Sequence, residues 1–153
     1  MATRSDDEFI GMLARLASDM PKAGRARLAA CIVHKGQVAA FGFNSMKSHP
    51  FQARFGRNSD SIFLHSETDA IKNALKVLDQ RELERSTLYV CRVKKTGPRS
   101  RTTILGLARP CEGCARAIAT FGIRRTVWSM DDGGFACSDE GSDALCGHAL
   151  KHA

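Results

Sequence analysis

Two short stretches carry the reactive side chains of this 153-residue chain: His65-Ser66-Glu67 and Pro110-Cys111-Glu112-Gly113-Cys114. Each follows a loop-like segment and opens an expected helix. Cys111 and Cys114 are three positions apart, so a first helical turn puts both sulfurs on one face. The free N–H groups and the dipole at that end favour thiolate, the form that binds metal. Two thiolates and one imidazole supply three ligands of a tetrahedral Zn²⁺ site. A fourth position left to water marks a catalytic rather than a structural site. A zinc ion there lowers the pKa of that water toward ~7. Glu67 lies two residues from His65, close enough to carry protons without being a ligand. A lone Cys-x-x-Cys also suits a redox pair or half of a zinc ribbon. The chain has no second Cys-x-x-Cys, however, and a redox motif has no need of an upstream His-x-Glu.

The elements that must position these groups can be read from periodicity. Ser5-Asp6-Asp7-Glu8 has the form of a capping box, and Phe9, Met12, Leu13 and Leu16 follow at helical spacing, giving a first helix near 6–19 that Pro21 stops. Residues 28–33 and 38–43 are apolar runs around Lys35-Gly36, a strand hairpin. Residues 44–63 have no clean period and read as a long loop. Ile71, Ala74, Leu75 and Leu78 then share a helical face, and residues 87–93 form a β-rich run. Residues 94–109 read as a second, basic loop. Pro110 suits the first position of a third helix, which Gly122 ends. Residues 124–129 are another strand. The tail 131–153 is acidic, with room for one short element. The order α-β-β-α-β-α-β predicts one domain over 1–153: an α/β protein, a three-layer α/β/α sandwich around a mixed sheet of four to five strands.

The pairing of His-x-Glu with Pro-Cys-x-x-Cys resembles the zinc-dependent nucleobase deaminases of the cytidine/deoxycytidylate deaminase superfamily. The likeness covers most of the chain, roughly residues 28–129. It implies a cytidine deaminase-like fold, His65, Cys111 and Cys114 as ligands of Zn²⁺, and Glu67 as catalytic proton shuttle. His-Ser-Glu-x-Asp-Ala-Ile is similar to the His-Ala-Glu-x-Asp-Ala-Ile of phage-type members. Ser66 departs from that pattern at a position that needs only a small residue. Gly42-Phe43-Asn44-Ser45-x-Lys47-x-His49-Pro50 resembles a loop of deoxycytidylate-like members, which makes Asn44 a candidate substrate contact. His49, before Pro50, is a further candidate, either for a base contact or as the cap of a turn. Related enzymes are oligomers, so the resemblance also implies a homo-oligomer.

The net charge of +7 is unevenly spread. Residues 1–130 hold 22 basic and 11 acidic groups, whereas residues 131–147 hold five acids and no base. A basic body suits an anionic ligand such as a nucleotide or nucleic acid. Arg92, Lys94, Lys95, Arg99 and Arg101 crowd one strand end and its loop. Arg54, Arg57 and Arg109 are nearest the motifs in sequence, and one or two of them would hold a substrate phosphate. Of the six cysteines, Cys31 and Cys91 read as buried thiols, and Cys137 and Cys146 as plain thiols too distant in pattern for a second metal site with His148. No apolar run reaches the roughly 18 residues of a membrane span, and the N-terminus lacks a signal-peptide core, so a cytoplasmic setting with no membrane partner is expected. The function expected is hydrolytic deamination of a cytosine nucleotide or nucleoside, dCMP favoured, with release of ammonia. The alternatives are a deaminase of single-stranded DNA or tRNA, or of a free base such as guanine. The acidic tail and few aromatics weigh against the polynucleotide. A non-catalytic zinc module would have no use for Glu67.

Overall fold

The computed structural model describes residues 5–20, 27–45, 49–55, 64–97, 102–139 and 145–148. Helix α1 spans Asp6–Ser18, followed by strands β1 Arg27–His34 and β2 Gln37–Phe43. Then come the helices α2 Pro50–Phe55, α3 Ser66–Ala74 and α4 Gln80–Glu84, and strands β3 Thr87–Lys95 and β4 Thr103–Gly106. Helix α5 Glu112–Thr120 and strands β5 Arg125–Ser129, β6 Phe135–Asp139 and β7 Leu145–His148 complete the order. The strands form one seven-stranded mixed sheet in the order β2-β1-β3-β5-β6-β7, with β4 also on β3. Among the described residues only the β3–β5 pair is parallel, and α5 lies in the crossover between them.

Alternation along each strand divides the core into two layers. On one face, Phe9, Ile10, Leu13 and Ala17 of α1 pack on Ala29, Cys31, Tyr89, Cys91 and Val127. On the other, Ala70, Ile71 and Ala74 of α3 and Ala117 of α5 pack on Ala30, Ile32, Leu88, Val90 and Trp128. A fully buried side chain such as Leu13 or Ile71 contributes roughly 1.5–3 kcal/mol. The result is the α/β/α sandwich expected, with helices on both faces.

Several local expectations need correction. The sheet has seven strands rather than four or five. Residues 94–109 are not simply a loop: β3 runs on to Lys95, and β4 folds back on it, pairing Arg92 with Gly106 and Lys95 with Thr103. The tail contributes β6 and β7, which extend the sheet beyond β5. Within 44–63, α2 starts at Pro50, which needs no N–H partner there. At α1, Ser5 makes no side-chain cap bond; its hydroxyl donates to the Asp7 carboxylate instead. A capping box is instead present at α4, where Asp79 and Glu82 bond each other's backbone N–H. Cys137 is disulfide-bonded rather than a plain thiol, which removes its sulfur as a thiolate ligand. Residues 137 and 146 face each other across the β6–β7 ladder. Cys31 and Cys91 are buried free thiols, as the alternation predicts. The β1–β2 turn has Lys35 at φ 52° and Gly36 at φ 76°, the left-handed pair of a tight hairpin. Among the described residues no helix is long and apolar enough to cross a membrane.

Candidate active site

Both chemical motifs sit at helix starts on the same face of the sheet. His65 is the N-cap of α3 and Cys111 the N-cap of α5, each with extended backbone. Helix α5 therefore begins at Glu112, and Pro110 precedes the cap rather than occupying the first turn. Cys111 Sγ accepts the backbone N–H of Cys114 at 3.5 Å. His65 is held from behind by α2: Gln52 is buried, and its Oε1 accepts the His65 backbone N–H at 3.1 Å and the Thr68 hydroxyl. Helix α3 is pressed onto β2. The Asp69 carboxylate accepts the Phe43 N–H at 3.0 Å, and a Cβ on Gly42 would lie 2.2 Å from Ser66 O and from Ala70 N. Only glycine admits so close an approach.

His65 Nδ1 lies 3.4 Å from Cys111 Sγ and 3.3 Å from Cys114 Sγ. One ligand atom from each of the three falls within 4.8 Å of the others. Cys114 is fully buried and Cys111 exposed, so the cluster opens on one side. The Cys111 thiol is pushed down to about 3 by hydrogen bonding from Cys114 and His65. The same contact, burial and the Glu67 charge push Cys114 up, and the neighbouring Cys111 sulfur raises His65. Two adjacent sulfurs repel as thiolates, so one holds the charge and the other the proton; a divalent cation is the partner that lets both ionise. With N and S donors at the edge lengths of a small tetrahedron, the donor set fits Zn²⁺. Glu67 is 4% exposed, and its Oε1 accepts the buried Ser66 hydroxyl at 2.6 Å.

A cleft of about 350 Å³ opens over this cluster, lined by Leu28, Asn44, His65, Ser66, Glu67, Arg92, Leu107, Ala108, Arg109 and Cys111. Of the candidates read from the sequence, the cleft unites His65, Glu67, Cys111, Asn44 and Arg109, with Cys114 behind. Asn44 Oδ1 accepts the Leu28 N–H at 2.9 Å, which ties the end of β2 to the start of β1. His49 and Arg54 are not in the lining. His49 Nδ1 accepts the Phe51 N–H at 3.0 Å and so starts α2, and the Arg54 guanidinium stands 5.3 Å over the Phe55 ring. Arg57 lies outside the described residues. Arg92 and Ser66 were missed as cleft residues. The signal for Arg92 was period two: Leu88, Val90 and Arg92 point to one face of β3, the face that carries α3 and α5.

Among solved structures, the chain is similar to the dCMP deaminase of the cyanophage S-TIM5. The apo form is 22% identical, with TM-score 0.47 and 77% of each chain covered. The complex with dCMP and dUMP is 20% identical, with TM-score 0.48, covering 81% of this chain and 79% of that one. RibD of Acinetobacter baumannii is 18% identical, with TM-score 0.42, covering 78% of this chain and 26% of the other. No curated protein matches the chain. The model of the cytidine and deoxycytidylate deaminase zinc-binding region matches residues 3–130. With that span and a His/Cys/Cys cluster beside a buried glutamate, the chain belongs to this deaminase family and is a zinc-dependent hydrolase.

Proposed function

We propose that the protein hydrolyses the exocyclic amine of a cytosine nucleotide or nucleoside, dCMP being the favoured substrate, to give the uracil product and ammonia. The observation that carries this reading is the placement of Glu67 in the same cleft as His65 and Cys111, with Asn44 and two arginines on the remaining wall. His65, Cys111 and Cys114 hold the zinc ion. When bound, that ion acidifies a water molecule and makes it a nucleophile at neutral pH.

Glu67 does the proton work. Its carboxylate takes a proton from the attacking water and gives it to the ring nitrogen beside the reacting carbon. It then passes the second proton to the departing amine. One C–O bond forms, one C–N bond breaks, and one water is consumed per ammonia released. Ser66 holds one carboxylate oxygen, and Glu67 lines the cleft beside His65 and Cys111. Asn44 stands at the sheet end where a sugar or base edge would lie. The apolar Leu28, Leu107 and Ala108 cover the ring and exclude bulk water.

The test is ammonia release from dCMP, dCTP, deoxycytidine, cytosine, guanine, adenosine and a single-stranded oligonucleotide, each with zinc-loaded protein. Turnover of dCMP or deoxycytidine is expected. Turnover of the oligonucleotide alone, or of guanine alone, would replace this reading by the polynucleotide or free-base one.

A further inference from the structure

Arg92 occupies an unusual place for a charge. Its strand β3 is central, paired with β1 through Leu28 on one side and with β4 through Gly106 on the other. Its side chain follows Leu88 and Val90 onto the face packed by the helices. Its aliphatic stem lies within 3.3 Å of the Cβ position of Gly106, so the stem rests against the neighbouring strand where only glycine leaves it room. The backbone is pinned as well: the Arg92 N–H donates to Ser129 Oγ at 3.0 Å, and that hydroxyl donates to Gly106 O at 2.7 Å. The Nε–H is buried and has no hydrogen-bond partner among the described residues. A buried, unpaired donor on a cation costs several times what a satisfied one does. The Asp131 carboxylate, which feels the Arg92 charge, is already bonded by Lys94 Nζ at 3.0 Å and by the Leu107 N–H at 3.1 Å. Arg92 and Arg109 both line the cleft, and its one carboxylate, Glu67, is bonded to Ser66.

We propose that Arg92 is a specificity-determining residue that receives, together with Arg109, a phosphate monoester carried by the substrate. This inference rests on the cytosine-nucleotide reading and sharpens it: the enzyme selects nucleotides over nucleosides. A guanidinium presents two parallel N–H groups to two phosphate oxygens, and Nε is one member of that fork. The β3–β4 hairpin fixes the fork before substrate arrives, so little side-chain freedom is lost on binding. Arg109, on the segment just before Cys111, adds a second charge to the cleft lining.

The test compares kcat/KM for dCMP and deoxycytidine in zinc-loaded wild type, Arg92→Gln and Arg92→Lys, with melting temperature and zinc content as controls of folding. The dCMP-to-deoxycytidine ratio is expected to fall by about 10- to 100-fold in Arg92→Gln, the size of a lost charge-assisted pair, and to recover in part in Arg92→Lys. An unchanged ratio would overturn the proposal. Inorganic phosphate titrated by nuclear magnetic resonance gives a readout free of turnover: its affinity should drop in Arg92→Gln, and equal affinity in both proteins rejects the assignment. Should wild type turn over neither cytosine substrate, the cytosine reading fails, and the phosphate titration still decides the role of Arg92. A loss in Arg92→Gln confined to a single-stranded oligonucleotide would replace the monoester by a backbone phosphodiester and so also overturn it.

Discussion

The hydroxyl of Ser66 donates to Glu67 Oε1 at 2.6 Å, and both residues are buried at the start of α3. Adjacent residues on a helix do not normally face one another. Here Ser66 and Glu67 meet in the first turn of α3. Removing the hydroxyl frees the carboxylate to rotate. In Ser66→Ala, kcat is expected to fall about tenfold, the value of one hydrogen bond to a charged group, with KM within about twofold of wild type. Steady-state kinetics checks this; an unchanged kcat would leave Ser66 as a small residue and nothing more.

Glu67→Gln keeps the shape of the side chain and removes its capacity to take a proton. Zinc content should remain at that of wild type, while kcat falls by roughly 10²–10⁴. Metal analysis and an ammonia assay on the same preparation separate the two effects. Full activity in this variant would take Glu67 out of the mechanism.

The metal cluster makes a different prediction. Purified protein should carry about one zinc per chain. His65→Ala and Cys114→Ala should lose the ion and the activity together, because three ligands leave none to spare. Zinc should also leave on acidification, as protons compete for the imidazole and the thiolates. Metal retention by Cys114→Ala at neutral pH would contradict the assignment.

Asp6 ties α1 to the sheet. Its carboxylate accepts Arg125 Nη1 and Nη2 at 2.8 and 2.7 Å and the Tyr89 hydroxyl at 2.6 Å. Burial, and then the hydrogen bond to Asp6, push the Tyr89 phenol above its ordinary range. Asp6→Ala removes the carboxylate that Arg125 and Tyr89 share. A loss of about 1.5–3 kcal/mol is expected, read from the urea midpoint, with turnover of the folded protein intact.

Burial pushes both Cys31 and Cys91 up to about 12. An unfolded thiol ionises near 9, so between pH 9 and 12 the unfolded chain binds fewer protons than the folded one. Stability therefore falls with rising pH in that window. Below it both thiols are neutral in either state and contribute no slope. In folded protein at pH 8 neither should react with a thiol reagent, whereas both should after denaturation, which mass spectrometry of the labelled peptides would show.

Strong local periodicity made α1, the β1–β2 hairpin, α3 and both chemical motifs legible in the sequence. The same signal is weak where pairing is distant or elements are short. Helix α2 has six residues and only Phe51 and Phe55 to mark a face, yet its Gln52 holds the His65 backbone. Strand β4 lies in a basic stretch whose pairing with Arg92–Lys95 depends on a fold-back, not on its own alternation. Arg92 reads in the sequence as one of a basic group at a strand end, because a lone arginine ending an apolar run has no local mark of the cleft beyond it. Ser66 was read by size alone, since its partner is the next residue and no spacing rule connects them.

Cys111 and Cys114, at the start of α5, lie 46 and 49 residues after His65, at the start of α3. An ion that joins them closes a large loop and clamps α3 to α5 across one face of the sheet. Such a crosslink narrows the unfolded ensemble much as a disulfide would, and it binds only where the two helix starts have already met. The resistance of this protein to heat should therefore track the concentration of free zinc, and a chelator should loosen the fold as well as silence it.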